Sequence, residues 1–319
     1  EAAPAAPAAF TCAKYGCLDI KSANACQCAA SCEAEGTCCA DYRSVCEKPG
    51  RHEAALGVWG GCPPGAVPPP PEIAGCAPRG APLQVKVVSY NPEWWHTVEE
   101  LGGYGNKAAQ LLSSTSRKVP YDFIGFQEFY DPWYGLTRPG FDGSALLREY
   151  MWVRGEVGGP VGTIIGFRNS TWDLIGRGQR FVAEDRKGPM YFGKRIVLWA
   201  RFAHKATGKT VFVADHHGPL PVSTGGICGG QRTAVNVLTV IAQSAKPGDA
   251  VILVGDFNAI RGSETIRALS SRLHGTFDGI DHIFTNLGPQ AIKWQGTLGT
   301  GGSDHPAVSV VVELPGERY

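Results

Sequence analysis

The stretch Val251-Ile-Leu-Val-Gly-Asp-Phe-Asn258 decides how the rest of the chain is read. Four β-favouring apolar residues run into a glycine and then a carboxylate. That order predicts a buried strand ending at a tight turn. Asp256 and Asn258 are two residues apart, so extended chain turns them to the same side. One is an anionic acceptor and the other a neutral donor. Together they suit a site that orients water and stabilises negative charge developing on phosphorus. The structural alternative is a turn that Asp and Asn merely shape. The other strand ends decide between the two.

Moving outward, short apolar runs alternate with turns from Leu83 onward. Gln84-Val-Lys-Val-Val-Ser-Tyr-Asn91 and Asp122-Phe-Ile-Gly-Phe-Gln-Glu128 read as strands ending in polar residues. Residues 161–167, 171–182, 195–203 and 209–215 read as further strands with hairpin connections, as do 279–284 and 306–314. Residues 106–118 and 231–244 carry helical periodicity. No repeat of 20 to 50 residues is present. Mixed strands with few helices predict an α/β fold of two packed sheets with helices outside.

Polar residues recur where these strands end: Asn91, Glu128, His216, Asp256, Asn258, Asp281, Asp304 and His305. Carboxylates and an amide oxygen are hard ligands suited to Mg²⁺, Mn²⁺ or Ca²⁺. Two histidines supply acid and base near neutral pH. A serine nucleophile elbow and a P-loop are both absent. His216 is followed by His217, and a one-residue slip would turn the strand over. Alternation from Phe212 through Ala214 selects His216, with His217 on the opposite face. Asn91 has a plain alternative as a turn residue before Pro92, and Asp281 as a cap after Asp278-Gly279.

The motifs Ser89-Tyr-Asn91, Gln127-Glu128, Ala214-Asp-His216, Gly255-Asp-Phe-Asn258, Ile280-Asp281 and Gly302-Ser-Asp304-His305 together resemble the endonuclease/exonuclease/phosphatase superfamily. Its members include pancreatic deoxyribonuclease, abasic-site endonucleases, neutral sphingomyelinases and inositol polyphosphate 5-phosphatases. The motifs stand in the family's order and span most of 83–314. The resemblance implies a four-layer α/β sandwich with its site at one edge of the paired sheets. It implies metal ligation by Asn91 and Glu128, with Asp304 completing or tuning the shell. Asp256 and Asn258 would orient water and phosphoryl oxygens. His305 would act as base or hold the phosphate, with Asp281 fixing its tautomer. His216 would protonate the leaving oxygen. Asp215 and His282 depart from the family pattern on that leaving-group side.

Trp94 and Trp95 follow Asn91 outside the family pattern, and Trp133-Tyr134 forms a second aromatic pair. Such rings stack on a base, seat a lipid or sugar, or simply pack the preceding segment onto the domain. Arg232 and Lys194-Arg195 are candidate phosphate contacts, against the plainer reading of solvated charges.

The chain has 319 residues and a net charge of +1. That excludes binding to nucleic acid by bulk charge, while leaving a local groove open. No apolar run reaches about 18 residues, so no membrane span is expected. Residues 1–9 are Ala/Pro-rich and read as a disordered mature terminus left after signal removal. There are 11 cysteines, eight of them between Cys12 and Cys46. That density implies an oxidising, secreted setting. The sequon Asn169-Ser170-Thr171 fits a secreted glycoprotein.

So short a cysteine-rich segment needs staples to fold. Cys26-x-Cys28-x3-Cys32-x5-Cys38-Cys39-x-Asp41-Tyr42-x3-Cys46 resembles the somatomedin B domain. The resemblance implies the pairs Cys12–Cys28, Cys17–Cys46, Cys26–Cys39 and Cys32–Cys38. It also implies a module that binds a protein or matrix partner and is itself non-catalytic. The expected division is a module over 10–47, a Pro/Gly-rich extended linker over 48–82 and a catalytic domain over 83–319. Cys62 and Cys76 are expected to close a loop within the linker, leaving Cys228 free; the alternative is a bond from Cys228 to a linker cysteine that lashes the linker to the second domain.

Three functions compete at this level. The first is a secreted metal-dependent phosphodiesterase of nuclease type. The second is a phosphoesterase of lipids or small molecules, which needs an apolar or inositol-fitting lip. The third is a non-catalytic extracellular binding protein, for which a complete set of acid, base and ligand groups has no purpose.

Overall fold

The computed structural model describes residues 20–21, 26, 32, 36–43, 61–93, 95–100, 104–129, 131–155, 162–277 and 279–317. In chain order the elements are β1 (Ile20–Lys21), β2 (Leu83–Tyr90), α1 (Lys107–Ser116), β3 (Phe123–Gln127), α2 (Pro132–Leu136), α3 (Ser144–Glu149), β4 (Tyr150–Arg154), β5 (Thr163–Arg168), β6 (Trp172–Glu184), β7 (Lys194–His204) and β8 (Thr210–His216). They continue with α4 (Gly230–Ser244), β9 (Ala250–Asp256), α5 (Glu264–Ser270), β10 (His274–Gly275), β11 (Asp281–Thr285), β12 (Ile292–Gly299) and β13 (Ala307–Leu314). One sheet runs β1-β4-β5-β3-β2-β13-β12 and the other β10-β11-β9-β8-β7-β6.

Period-two alternation builds the layers. On β2, Val85 and Val87 face the other sheet, whereas Val88 and Tyr90 face helices. On β9, Ile252 and Val254 point between the sheets and Val251 and Leu253 point to α4 and α5. The middle layer also holds Phe123, Phe202, Val213 and Val310. One outer layer packs Phe126 and Trp152 against Leu112 of α1, Leu136 of α2 and Leu146 of α3. The other packs Phe212 and Ala214 against Val237 and Leu238 of α4 and Leu269 of α5. Burying one such aliphatic or aromatic side chain contributes about 1.5–3 kcal/mol. The result is the expected four-layer α/β sandwich. It sets the ends of β2, β3, β8 and β9 beside the starts of β11 and β13, with β2 parallel to β3 and β8 parallel to β9.

Short elements escape pattern reading. Helix α2 has five residues and owes its start to Asp131, whose side chain accepts from the backbone of Trp133 and Tyr134. Strand β12 lies at a sheet edge and is half exposed along both faces, so it carries no alternation.

The segment over 61–82 lies against the domain. It is laid along the second sheet's helical side by side-chain bonds to its carbonyls. Arg232 Nη2 donates to Gly65 O at 2.7 Å, Arg272 Nη2 to Pro70 O at 2.9 Å and Asn286 Nδ2 to Ala74 O at 2.8 Å. Ile73 packs on the apolar cluster beneath α4 and α5. The expected Cys62–Cys76 bond is therefore replaced. Cys62 pairs with Cys228 across a Cα–Cα distance of 5.2 Å, and Cys76 is a half-buried free thiol beside Gly248. Docking brings residues 166 apart together, which spacing along the chain could not reveal.

In the N-terminal module, Cys26–Cys39 and Cys32–Cys38 are bonded as the resemblance implies. The pairs Cys12–Cys28 and Cys17–Cys46 lie outside the described residues. Strand β1 of this module pairs antiparallel with β4, with Ile20 opposite Val153.

Candidate active site

The site forms where the middle layer of the sandwich opens to solvent. Residues on the inter-sheet alternation of their strands emerge there. Asn91 continues Val85 and Val87, Asp256 continues Ile252 and Val254, and Asp281 precedes Ile283. Gly255 is required just before Asp256, because a Cβ there would stand 2.0 Å from His216 O on the parallel neighbour β8. Glu128 and Asn258, just past their strand ends, take φ of 49° and 45°. Non-glycine residues rarely adopt such angles, and the strain clusters at functional sites.

Two groups of side chains result. Ligand-type atoms of Glu128, His217 and Asp256 lie within 4.8 Å of one another, as do those of Asp256, Asp281 and His305. Asn91 Nδ2 sits between the acids, 3.2 Å from Glu128 Oε1 and 3.2 Å from Asp256 Oδ2. His217 Nε2 is 3.5 Å from Asp256 Oδ2 and 3.7 Å from Glu128 Oε1. His305 Nδ1 donates to Asp281 Oδ2 at 2.9 Å, which turns Nε2 towards Asp256 Oδ2 at 3.7 Å. The backbone N–H of Asn258 donates to Asp256 Oδ1 at 2.8 Å. These groups floor a cleft of about 520 Å³.

A sequence model of the Endonuclease/Exonuclease/phosphatase family matches residues 101–305. The chain belongs to that family. A Somatomedin B domain model matches residues 10–49, so the enzyme carries that domain at its N-terminal side. Solved structures share the fold. An endonuclease/exonuclease/phosphatase family protein from Bacteroides thetaiotaomicron superposes with a TM-score of 0.56 at 19% identity, covering 74% of this chain and 96% of that one. A mannosyl-6-phosphatase from Bacteroides thetaiotaomicron gives 0.55 at 20% identity, covering 72% and 99%. TDP2 of D. rerio, complexed with a single-strand DNA product, gives 0.52 at 17% identity, covering 72% and 98%. No curated protein sequence matches the chain. Family membership and the two side-chain groups make this protein a metal-dependent phosphoric-ester hydrolase.

The donor set in this family member fits a hard divalent cation. Glu128 and Asp256 are carboxylates held side by side, and neither forms a salt bridge to Lys or Arg among the described residues. Burial pushes the Glu128 carboxyl up. Burial, and then the charge of Asp281, raise Asp256 to about 7. Burial acts against the charged form of His305. The Asp281 hydrogen bond and the charges of Asp256, Asp281 and Asp304 outweigh it and bring His305 to about 9. A buried acid beside a part-buried one, with so little compensation, suits a bound cation. Asn91 supports them through its amide nitrogen, while its Oδ1 accepts the Glu93 N–H at 2.9 Å. Asp304 stands at the mouth with its side chain 66% exposed, outside both groups.

His216 does not reach the cleft. It follows Phe212 and Ala214 onto the helix-facing side, where its Nδ1 donates to Ile196 O at 2.8 Å and its ring meets Phe257. Burial drives its pKa down to about 4. His217, one step beyond the strand, takes the inter-sheet direction of Val211, Val213 and Asp215. Arg232 is buried and holds Gly65, away from the cleft. Trp95 lines the cleft, whereas Trp94 lies outside the described residues. Asn169 is exposed in the turn after β5.

Arg195 lines the cleft and is buried at the start of β7. It forks onto Asp185, Nε to Oδ1 and Nη2 to Oδ2, both at 3.0 Å. Among the described residues, Nη1 has no hydrogen-bond partner. Asp185 also accepts from the backbone of Phe192 and Leu220, both at 2.8 Å, so one carboxylate ties down two segments of the rim. The sequence offered no signal for Asp185. Its partners lie at three separate places in the chain.

Proposed function

We propose that this cleft hydrolyses phosphodiesters by in-line attack of water, with Mg²⁺ as the working ion and Mn²⁺ or Ca²⁺ as substitutes. The observation that carries it is the convergence of Glu128, His217, Asp256, Asp281 and His305 on one floor. A divalent ion held by Glu128 and Asp256, with Asn91 in support and Asp304 at the edge, would screen phosphate charge and sharpen phosphorus as an electrophile. Asp256 and Asn258 orient the attacking water. His305, fixed through Asp281, holds a phosphoryl oxygen with Nε2. His217 replaces His216 as the group that protonates the leaving oxygen. Arg195 Nη1 supplies a fixed donor to a phosphoryl oxygen.

Nuclease-type cleavage and cleavage of a lipid phosphodiester share this bond and this attack. His217 would supply the acid that a poor alcohol leaving group needs. The cysteine-rich module and the exposed sequon at Asn169 support action outside the cell, with the somatomedin B domain engaging a protein or matrix partner. No helix among the described residues is long and apolar enough to cross a membrane.

The test is turnover of bis-nitrophenyl phosphate and nitrophenyl phosphate with Mg²⁺ and with EDTA. Diester cleavage that stops in EDTA is expected. His305→Ala and Asp256→Ala are each expected to lower turnover by about 10²–10⁴. Near-normal rates in either variant would refute the assignment.

A further inference from the structure

The two acids that would share a cation come from different sheets. Glu128 follows β3 of the first sheet, and Asp256 ends β9 of the second. A metal site needs its ligands held to within about 0.5 Å, so the gap between the sheets has to be set at this end. Apolar packing keeps two sheets about 10 Å apart without fixing that last fraction.

Two side-chain hydrogen bonds cross from sheet to sheet at the cleft. One is part of the floor, Asn91 Nδ2 to Asp256 Oδ2 at 3.2 Å. The other lies one step deeper, where Gln127 Nε2 donates to Asp215 Oδ1 at 2.7 Å. Gln127 is the residue before Glu128, and Asp215 stands two before His217. Both are fully buried. The inter-sheet face of β8 runs Val211, Val213, Asp215, and that of β3 runs Phe123, Gly125, Gln127. Each polar side chain thus takes a place that alternation would give to an apolar one. Gly125 marks how closely the sheets meet here. A Cβ on it would stand 2.3 Å from Val254 Cγ2 and 3.4 Å from Asp215 Oδ2. Val254 is the partner of Asp215 across β8 and β9 and lies two residues before Asp256. Gln127 Nε2 is also 3.3 Å from Ser89 Oγ on β2, two residues before Asn91. One bond therefore links the strands whose ends carry Asn91, Glu128, His217 and Asp256. Glu128 itself takes a φ of 49°, so its strained backbone has an anchor immediately before it.

Such a pair does little for stability, because apolar side chains of the same shape fill a core at least as well. Asp215 is also where this chain departs from the family pattern. We propose that the Gln127–Asp215 hydrogen bond positions Glu128 of one sheet against His217 and Asp256 of the other, so that they close on a single divalent cation. Neither residue is a ligand or touches substrate. This rests on the metal-dependent reading above and adds the residues that set its geometry.

The test is Mn²⁺ binding to the full chain without substrate, followed by loss of the free-ion electron paramagnetic resonance signal. Asp215→Val should weaken binding by about 10–100-fold. Asp215→Asn keeps Oδ1 as an acceptor and should bind like the parent. The double variant Gln127→Met/Asp215→Val removes both partners, so neither is left unpaired, and its urea midpoint should return to that of the parent or above. Its Mn²⁺ affinity should stay about 10–100-fold down. Affinity that recovers together with stability, parent-like affinity in Asp215→Val, or an equal loss in Asp215→Asn would overturn the positioning role and leave the metal site standing. Failure of both Asp215→Val and the double variant to fold would overturn it too, since the bond would then serve the fold. A parent chain that binds no Mn²⁺ sinks the metal-dependent reading and this proposal with it.

Discussion

His216 and His217 are neighbours in sequence with opposite surroundings. Strand β8 is apolar on both faces, Val211 and Val213 between the sheets and Phe212 and Ala214 under the helix. Alternation therefore fixes which residues share a face, without saying which face opens to solvent. That ambiguity sent the sequence reading to His216. Asp256 stood out as a charge ending an apolar run, whereas Asp281 opens its strand and was singled out by the motif resemblance alone. His217→Ala is expected to lower kcat by about 10²–10⁴, with His216→Asn far milder, measured on a diester whose leaving group is an unactivated alcohol, such as a dinucleotide or a phospholipid. The reverse order would return the role to His216. His216 instead sets an acid limit on stability. Its folded pKa of about 4 lies below the unfolded 6.5, so the unfolded chain binds the extra proton in between. Stability from this group is full above pH 6.5 and falls as pH drops towards 4, by about 3 kcal/mol at most. Urea unfolding at pH 7 and pH 4.5 should show a smaller acid loss in His216→Asn than in the parent. Equal losses would mean that the buried imidazole is not the cause.

Elements, unlike single residues, were mostly legible. The strands from β5 to β9 each pair a period-two or fully apolar run with a turn signal, and α4 carries a clear apolar stripe. Helices α2 and α5 are set by caps, Asp131 and Ser263, which are common residues anywhere in a sequence. The rim of the cleft was invisible because its geometry is made by one buried carboxylate that joins the β6–β7 connection to the loop after β8. Asp185 holds Arg195, the Phe192 and Gly193 amides and the Leu220 amide. Asp185→Ala leaves Arg195 as a buried, unpaired cation. A loss of about 3–5 kcal/mol is expected, seen as a lower urea midpoint with an unchanged slope. Because both rim segments hang from this carboxylate, KM for any apolar substrate should rise as well. A stability change below about 1 kcal/mol would show that the two segments hold themselves without it.

For the whole molecule, the decisive connection is the one between Cys62 and Cys228. Composition read 48–82 as an extended spacer. Its carbonyls are unpaired within the segment, however, and Arg232, Arg272 and Asn286 bond to them from the domain. Cys62 is bonded to Cys228, on the same β8–α4 connection as Leu220 and Val222, so the disulfide ties the linker to a segment that also lines the cleft. Closing a loop of 166 residues restricts the unfolded chain by about 5 kcal/mol in the chain-entropy picture, and measured bonds commonly give 2–4. Cys62→Ser should therefore lower Tm on the order of 10 °C. Cys228→Ser should match it, and the double variant should add nothing further, since both remove one bond. Peptides from the unreduced protein should contain Cys62 joined to Cys228, with Cys76 as the alkylated thiol. A Cys62–Cys76 peptide, or additive losses in the double variant, would return the linker to a loop closed on itself.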